Sequence, residues 1–145
     1  MKSILLALLS MPSLATADYL EIRKVVTTAP GAKIVKIPKS GEELALSPDL
    51  IVSEKHVASA YFTPGVSRPP DYYPVALSLT EEGGKRMAEA TKDALANNLR
   101  LAILIDGKVV TAPVVRSAPL GKNLEISLSS AEEAQAVAKA LQPKK

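Results

Sequence analysis

The chain has 145 residues, 47% of them apolar and 23% charged, with 11 Pro, 7 Gly, 4 Tyr, 1 Phe, no Trp, no Cys and a formal net charge of +3. That length suits one domain able to fold without a metal or a disulfide, and the apolar share is too high for a disordered chain. The lack of Cys excludes a disulfide framework, a thiolate nucleophile, a zinc-thiolate centre and a lipidated cysteine.

Residues 1–17 place Lys2 before an apolar run from Ile4 to Leu9, then Pro12, then Ala15 and Ala17 around Thr16. The run is shorter than the ~20 apolar residues that cross a bilayer, and its parts come in the order of a secretory signal peptide, which predicts cleavage after Ala17. The expected product, 18–145, is periplasmic or secreted and has no membrane span. Loss of Lys2 lowers its formal charge from +3 to +2. Lys33, Lys36 and Lys39, with Lys144 and Lys145, lack the interleaved aromatics of a nucleic-acid surface and read as a solvated strand face and a tail.

Over 18–26, Leu20 and Ile22 alternate with Glu21 and Arg23, predicting a half-buried strand that ends in a turn at Pro30 and Gly31. A second strand is expected over 33–37, then a loop to Gly41. Within 44–62, Leu50 to Val52 reads as a short strand, Ser53 as the cap of one helical turn over 54–56, and 58–62 as strand again. Pro64, Gly65, Pro69 and Pro70 predict an exposed loop over 63–71.

Past that loop, Tyr73, Val75, Leu77 and Leu79 share one face of a strand, with Pro74 near its start suiting an edge or entry position. Thr80 caps a helix to about Asn98, with Glu81 and Glu82 at its positive end and a buried stripe of Met87, Ala88, Thr91, Ala94 and Leu95. Gly83 and Gly84, costly inside a helix, suit a close approach to the sheet. The run from Leu99 to Ile105 is apolar on both faces and should be central. Asp106 and Gly107 suit a two-residue hairpin turn, and Pro113 marks an edge or bulge in the returning strand. Leu124, Ile126 and Leu128 alternate with polar residues. Ser130 and Glu133 form a capping box for a last helix whose stripe is Ala134, Val137, Ala138 and Leu141. The fold class expected is α+β, a mainly antiparallel sheet with two helices packed on one face.

Three blocks, LTEEGGKRMAEATKDAL (79–95), RLAILIDGKVVTAPVV (100–115) and EISLSSAEEAQAVAKAL (125–141), resemble in order, spacing and wording the head subdomain of the first periplasmic domain of SecD-type subunits of the SecDF protein-export machinery. LAILIDGKVVTAP is the most specific phrase. The family usually has alanine where Gly84 stands and an aromatic where Met87 stands. The resemblance covers the second half well and fades upstream. It implies the part of SecD that holds an emerging polypeptide, without the membrane helices that couple movement to proton flow. The expected divisions are 1–17, a signal peptide; 18–72, N-terminal strands and loops; and 73–145, a head-like region. Residues 18–145 together make one compact unit.

His56 is the sole histidine, so it is the obligatory member of any Ser-His-Asp unit, and multi-histidine metal sites are excluded. A histidine on a strand or turn surface is the expectation. Glu81 with Glu82, and Glu132 with Glu133, sit in first helical turns, where the helix dipole explains them. The reading is a non-catalytic periplasmic module without cofactors. Its partner is a polypeptide or envelope protein, such as translocon subunits, accepted at a sheet edge near Pro113 or 123–128. Arg68, Tyr72 and Arg116 are the expected contacts. The alternative is a secreted envelope hydrolase using His56 or a carboxylate, which requires His56 and a second titratable group in one cleft. A third option, attachment to an anionic surface through the lysines, would be salt-sensitive.

Overall fold

The structure, a computed structural model, describes residues 18–27, 31–38, 40–66, 68, 72–115 and 121–143. The expected signal peptide, Lys39, Arg116, Lys144 and Lys145 lie outside the described residues. In chain order the elements are Leu20–Val26 (β1), Lys33–Lys36 (β2), Glu43–Ser53 (β3), a 3-10 turn Glu54–His56, Val57–Phe62 (β4), a 3-10 turn Pro64–Val66, Tyr73–Leu79 (β5), Glu81–Ala96 (α1), Leu101–Ile105 (β6), Lys108–Thr111 (β7), Asn123–Leu128 (β8) and Ala131–Leu141 (α2).

Every strand pairing is antiparallel, and the class is α+β as expected. The strands form two hydrogen-bonded sheets, a larger one in the order β2-β3-β1-β6-β7 and a smaller one in the order β4-β5-β8. The division falls where the turn Glu54–His56 carries the chain from β3, in the larger sheet, to β4, in the smaller.

Between the sheets lies the main core. Leu20, Ile22, Leu101, Ile103 and Ile105 of the larger sheet meet Val75, Leu77, Leu79, Ile126 and Leu128 of the smaller. Met87, Ala90 and Ala94 of α1 and Ala134, Val137, Ala138 and Leu141 of α2 join the same core. The stripe of α2 is the one its sequence predicts. That of α1 is turned: Leu95 is 40% exposed and Ala90 is buried in its place. The cause is at the start of the helix, where Gly83 and Gly84 are both buried. A Cβ on Gly83 would stand 2.9 Å from His56 Cβ and 3.1 Å from Leu79 Cβ, so bare backbone fixes which arc of α1 faces inward.

β6 is buried at all five positions and flanked by β1 and β7, as its two apolar faces predict. Its Ala102 and Leu104 point away from the main core into a second cluster with Leu44, Leu46 and Val109. The larger sheet curls around this cluster, so that Ile37 and Pro38 beyond β2 share a cavity of about 260 Å³ with Lys108, Val109 and Val110 of β7. Asp106 and Gly107 have φ of 53° and 83°, the left-handed pair that a two-residue hairpin needs. β2 is an outer edge, with Lys33 and Lys36 exposed and Ile34 61% exposed between them.

β3 is longer than the short strand expected, because its middle is held by side chains. Register passes from Arg23↔Leu50 to Val25↔Leu46, so β1 advances two residues while β3 advances four. Pro48 in this bulge has no N–H to give. Arg23 Nη1 donates to the carbonyls of Ser47 and Pro48 at 3.3 and 2.7 Å. Arg86 of α1 donates to those of Ile51 and Leu50 at 2.6 and 2.8 Å.

Candidate functional site

β8 ends the smaller sheet on the side away from β4. Lys122 C=O accepts the Leu79 N–H at 2.7 Å, so main-chain groups at even positions face β5 and those of Asn123 and Glu125 face outward. Side chains alternate the other way: Ile126 and Leu128 are buried, Leu124 is partly buried, and Asn123 and Glu125 are exposed.

Beside this edge runs an apolar groove of about 240 Å³. One wall is Pro113, Val114 and Val115, and the other is Asn123, Leu124 and Glu125. Ile22, Met87, Leu101 and Ile103 line the rest. Val114 is 52% exposed, and the Pro113 carbonyl accepts the Leu101 N–H at 3.1 Å, holding the first wall against β6. Sequence reasoning placed interest near Pro113 and near β8 separately. The groove itself was missed because its walls lie apart in sequence. The exposed Val114, directly after a proline, was the available signal.

Arg68 and Tyr72 are brought together and Arg116 lies outside the described residues. Two main-chain hydrogen bonds, 2.8 and 3.0 Å, join Arg68 to Tyr72, and the guanidinium lies 5.8 Å from the centre of the tyrosine ring. Tyr72 Oη donates to Glu125 Oε1 at 2.7 Å, tying the pair to β8. That bond is the main reason the hydroxyl holds its proton above the ordinary tyrosine range, with burial and the Glu125 charge adding and Arg68 opposing.

His56 departs from the surface position expected of it: the residue is 9% exposed. The 3-10 turn folds its ring back so that Nδ1 accepts the Ser53 N–H at 3.1 Å, while Nε2 stands 3.8 Å from Glu82 Oε2. The two line one cleft with Ser53, Lys55, Thr80, Glu81 and Arg86. Ser53 is fully buried, and its Oγ has no hydrogen-bond partner among the described residues. The imidazole therefore meets the backbone of Ser53 and not its hydroxyl, which leaves no serine–histidine relay there.

The acidic pairs serve their helix starts. Thr80 Oγ1 accepts the Gly83 N–H and Ser130 Oγ the Glu133 N–H, both at 3.1 Å. Glu133 reaches back to Ser129 N–H and Oγ rather than to the Ser130 N–H of a regular capping box. Among the described residues no group of three or more His, Asp or Glu is placed to hold a metal ion, and no helix is long and apolar enough to cross a membrane.

A family model described as the SecDF P1 head subdomain matches residues 31–143, reaching further upstream than the sequence blocks indicate. The protein translocase subunit SecDF of Thermus thermophilus is 46% identical over 65 residues, which are 44% of this chain and 9% of that protein. A crystal structure of SecDF in its super-membrane-facing form superposes with a TM-score of 0.63 at 29% identity, over 85% of this chain and 18% of that one. A second SecDF structure, described as a membrane component that enhances protein export, gives the same TM-score of 0.63 at 29% identity, over 85% of this chain and 61% of that one. The chain thus spans less than two thirds of the length of each of these three SecDF chains.

Proposed function

We propose, from the premise that this chain belongs to the SecDF P1 head subdomain family, that it is a non-catalytic module of protein export that holds extended polypeptide in the periplasm. Residues 1–17 are its signal peptide, cleaved after Ala17, and 18–145 act as one unit. The observation that carries the reading is the outward-facing main chain of Asn123 and Glu125 beside the apolar groove. An extended segment added there gains main-chain hydrogen bonds from the edge and buries alternate side chains in the groove. Arg68 and Tyr72 flank that edge through Glu125, and Arg116 follows the opposite wall in sequence.

Photocrosslinking in intact cells tests it. A crosslinker at Asn123 is expected to trap export substrates or translocon subunits, and one at Lys92 on the outer face of α1 is not. Equal yields at the two positions would overturn the site. The meeting of His56 and Glu82 in one cleft is what a hydrolase reading would need. Nδ1 already accepts from the backbone and Ser53 Oγ is buried, which supports the non-catalytic reading of that cleft. Turnover of an envelope substrate lost in His56→Ala would restore the hydrolase.

A further inference from the structure

We infer that the polypeptide held in the groove enters as a strand between two sheet edges and is bonded on both sides. This rests on the reading of the groove proposed above and adds the class of segment it takes: extended, free of proline, with one apolar side chain turned inward.

The second edge follows β7. Leu101 N–H donates to the Pro113 carbonyl, and the next pair outward is the bridge of Arg100 to Val114. Pairs in an antiparallel ladder alternate between bonded and non-bonded, so the N–H and C=O of Val114 point away from β6. They point toward the groove that Val114 lines, and those of Asn123 and Glu125 enter it from β8. No main-chain hydrogen bond joins the two walls among the described residues. The unpaired groups on both walls select the occupant. A helix has its main-chain groups already bonded internally, and a purely apolar ligand has none to offer.

The link between the walls, 116–122, is shorter than the roughly dozen residues of a parallel crossover, so the walls run antiparallel to each other. A strand lying between them is therefore antiparallel to one wall and parallel to the other. Val114, Asn123 and Glu125 are exposed, whereas Val115 and Leu124 pack on the core, so the three outward-facing residues share one face. In that mixed arrangement, alternate guest residues turn their N–H and C=O to β8 and the residues between them turn theirs to Val114. Every guest amide is used, and a proline at either kind of position forfeits a bond. Guest side chains turned inward meet Met87, Leu101 and Ile103, and those turned outward lie beside Asn123 and Glu125. β7 and β8 themselves approach within 8 Å at Cα, less than the two spacings of about 4.7–4.9 Å that a third strand occupies. The insertion therefore stops short of β7 and is bounded by 113–115 and 123–125.

The test uses the full chain after export and the capped peptide Thr-Ser-Thr-Leu-Thr-Ser-Thr, whose central Leu pins the register by entering the groove. N-methylation of that Leu removes a donor to one wall, and N-methylation of the Thr after it removes a donor to the other. Each is expected to weaken binding, read by fluorescence anisotropy, on the order of tenfold. In the complex the N–H groups of Val114, Asn123 and Glu125 should all gain protection from exchange. Weakening at only one of the two peptide positions, or a Val114 N–H still unprotected in the complex, would overturn the second edge and leave docking on β8 alone standing. No binding of the unmethylated peptide, or binding indifferent to both methyl groups, would overturn the polypeptide reading itself and the insertion with it.

Discussion

From Tyr73 onward the chain is held by apolar stripes and local caps, while the stretch from Leu20 to His56 is held to a large extent by charged side chains that reach main-chain groups far away in sequence. β5, β8 and both helices place Val75, Leu77, Ile126, Ala134 and Val137 in one core, and Thr80 and Ser130 close their helices within three residues. β3, by contrast, depends on Arg23 and Arg86 for four carbonyls, and β1 depends on Glu54 for its first N–H. The first kind of order follows from periodicity and local capping; the second exists only once distant segments have met.

The sharpest way to break the contrast is to empty the shared core. Ile126→Ala, at a fully buried site, should cost about 2–5 kcal/mol, read as a lower midpoint in urea with unchanged slope. Gly83→Ala forces a methyl against the His56 and Leu79 Cβ atoms and should cost about 1–3 kcal/mol. Its neighbour responds differently: a Cβ on Gly84 meets Lys122 Cγ at 2.5 Å, and relief requires that exposed side chain to change its first torsion. Gly84→Ala should therefore cost less than Gly83→Ala, the clash being partly offset by up to about 1 kcal/mol of helix propensity. A Gly84→Ala loss equal to that of Gly83→Ala would remove the distinction between the two glycines.

Truncating the long reach comes next. Arg86→Ala strips donors from the Leu50 and Ile51 carbonyls and should cost about 1–2 kcal/mol, partly offset because the site admits water. Hydrogen exchange should localise that loss to β3 and leave β5 and β8 protected. The smallest effect is at Tyr72. Its folded hydroxyl ionises at higher pH than the unfolded one, so its contribution is present at neutral pH and is lost as pH rises through the raised value. Glu125→Gln should move the tyrosinate absorbance of Tyr72 back toward lower pH, with Tyr72→Phe identifying the signal.

The same division sets what could be read from sequence. The Asp106–Gly107 turn, β6 with two apolar faces, the caps at Thr80 and Ser130 and the stripe of α2 are encoded by neighbours, and each matches the structure. The 11-residue β3 was legible only over Leu50 to Val52, since the carbonyls of its middle are held by Arg23, far away in sequence. The rotation of α1 was hidden because it depends on His56, 27 residues before Gly83 in the chain, as the spacing of 56 and 83 shows. For the site, Arg68 and Tyr72 were singled out and do adjoin, whereas the groove needed two separated walls to be brought side by side.

β2 leaves a further mark on how copies of this protein treat each other. Two molecules approaching strand to strand along that border would bring Lys36 of each beside Ile34 on one face and Lys33 of each together on the other, four like charges along the shared edge. The repulsion discourages that border from seeding fibrils or stray dimers in a crowded compartment. Replacing both lysines with threonine would leave an apolar, uncharged ribbon free to zip onto its own kind.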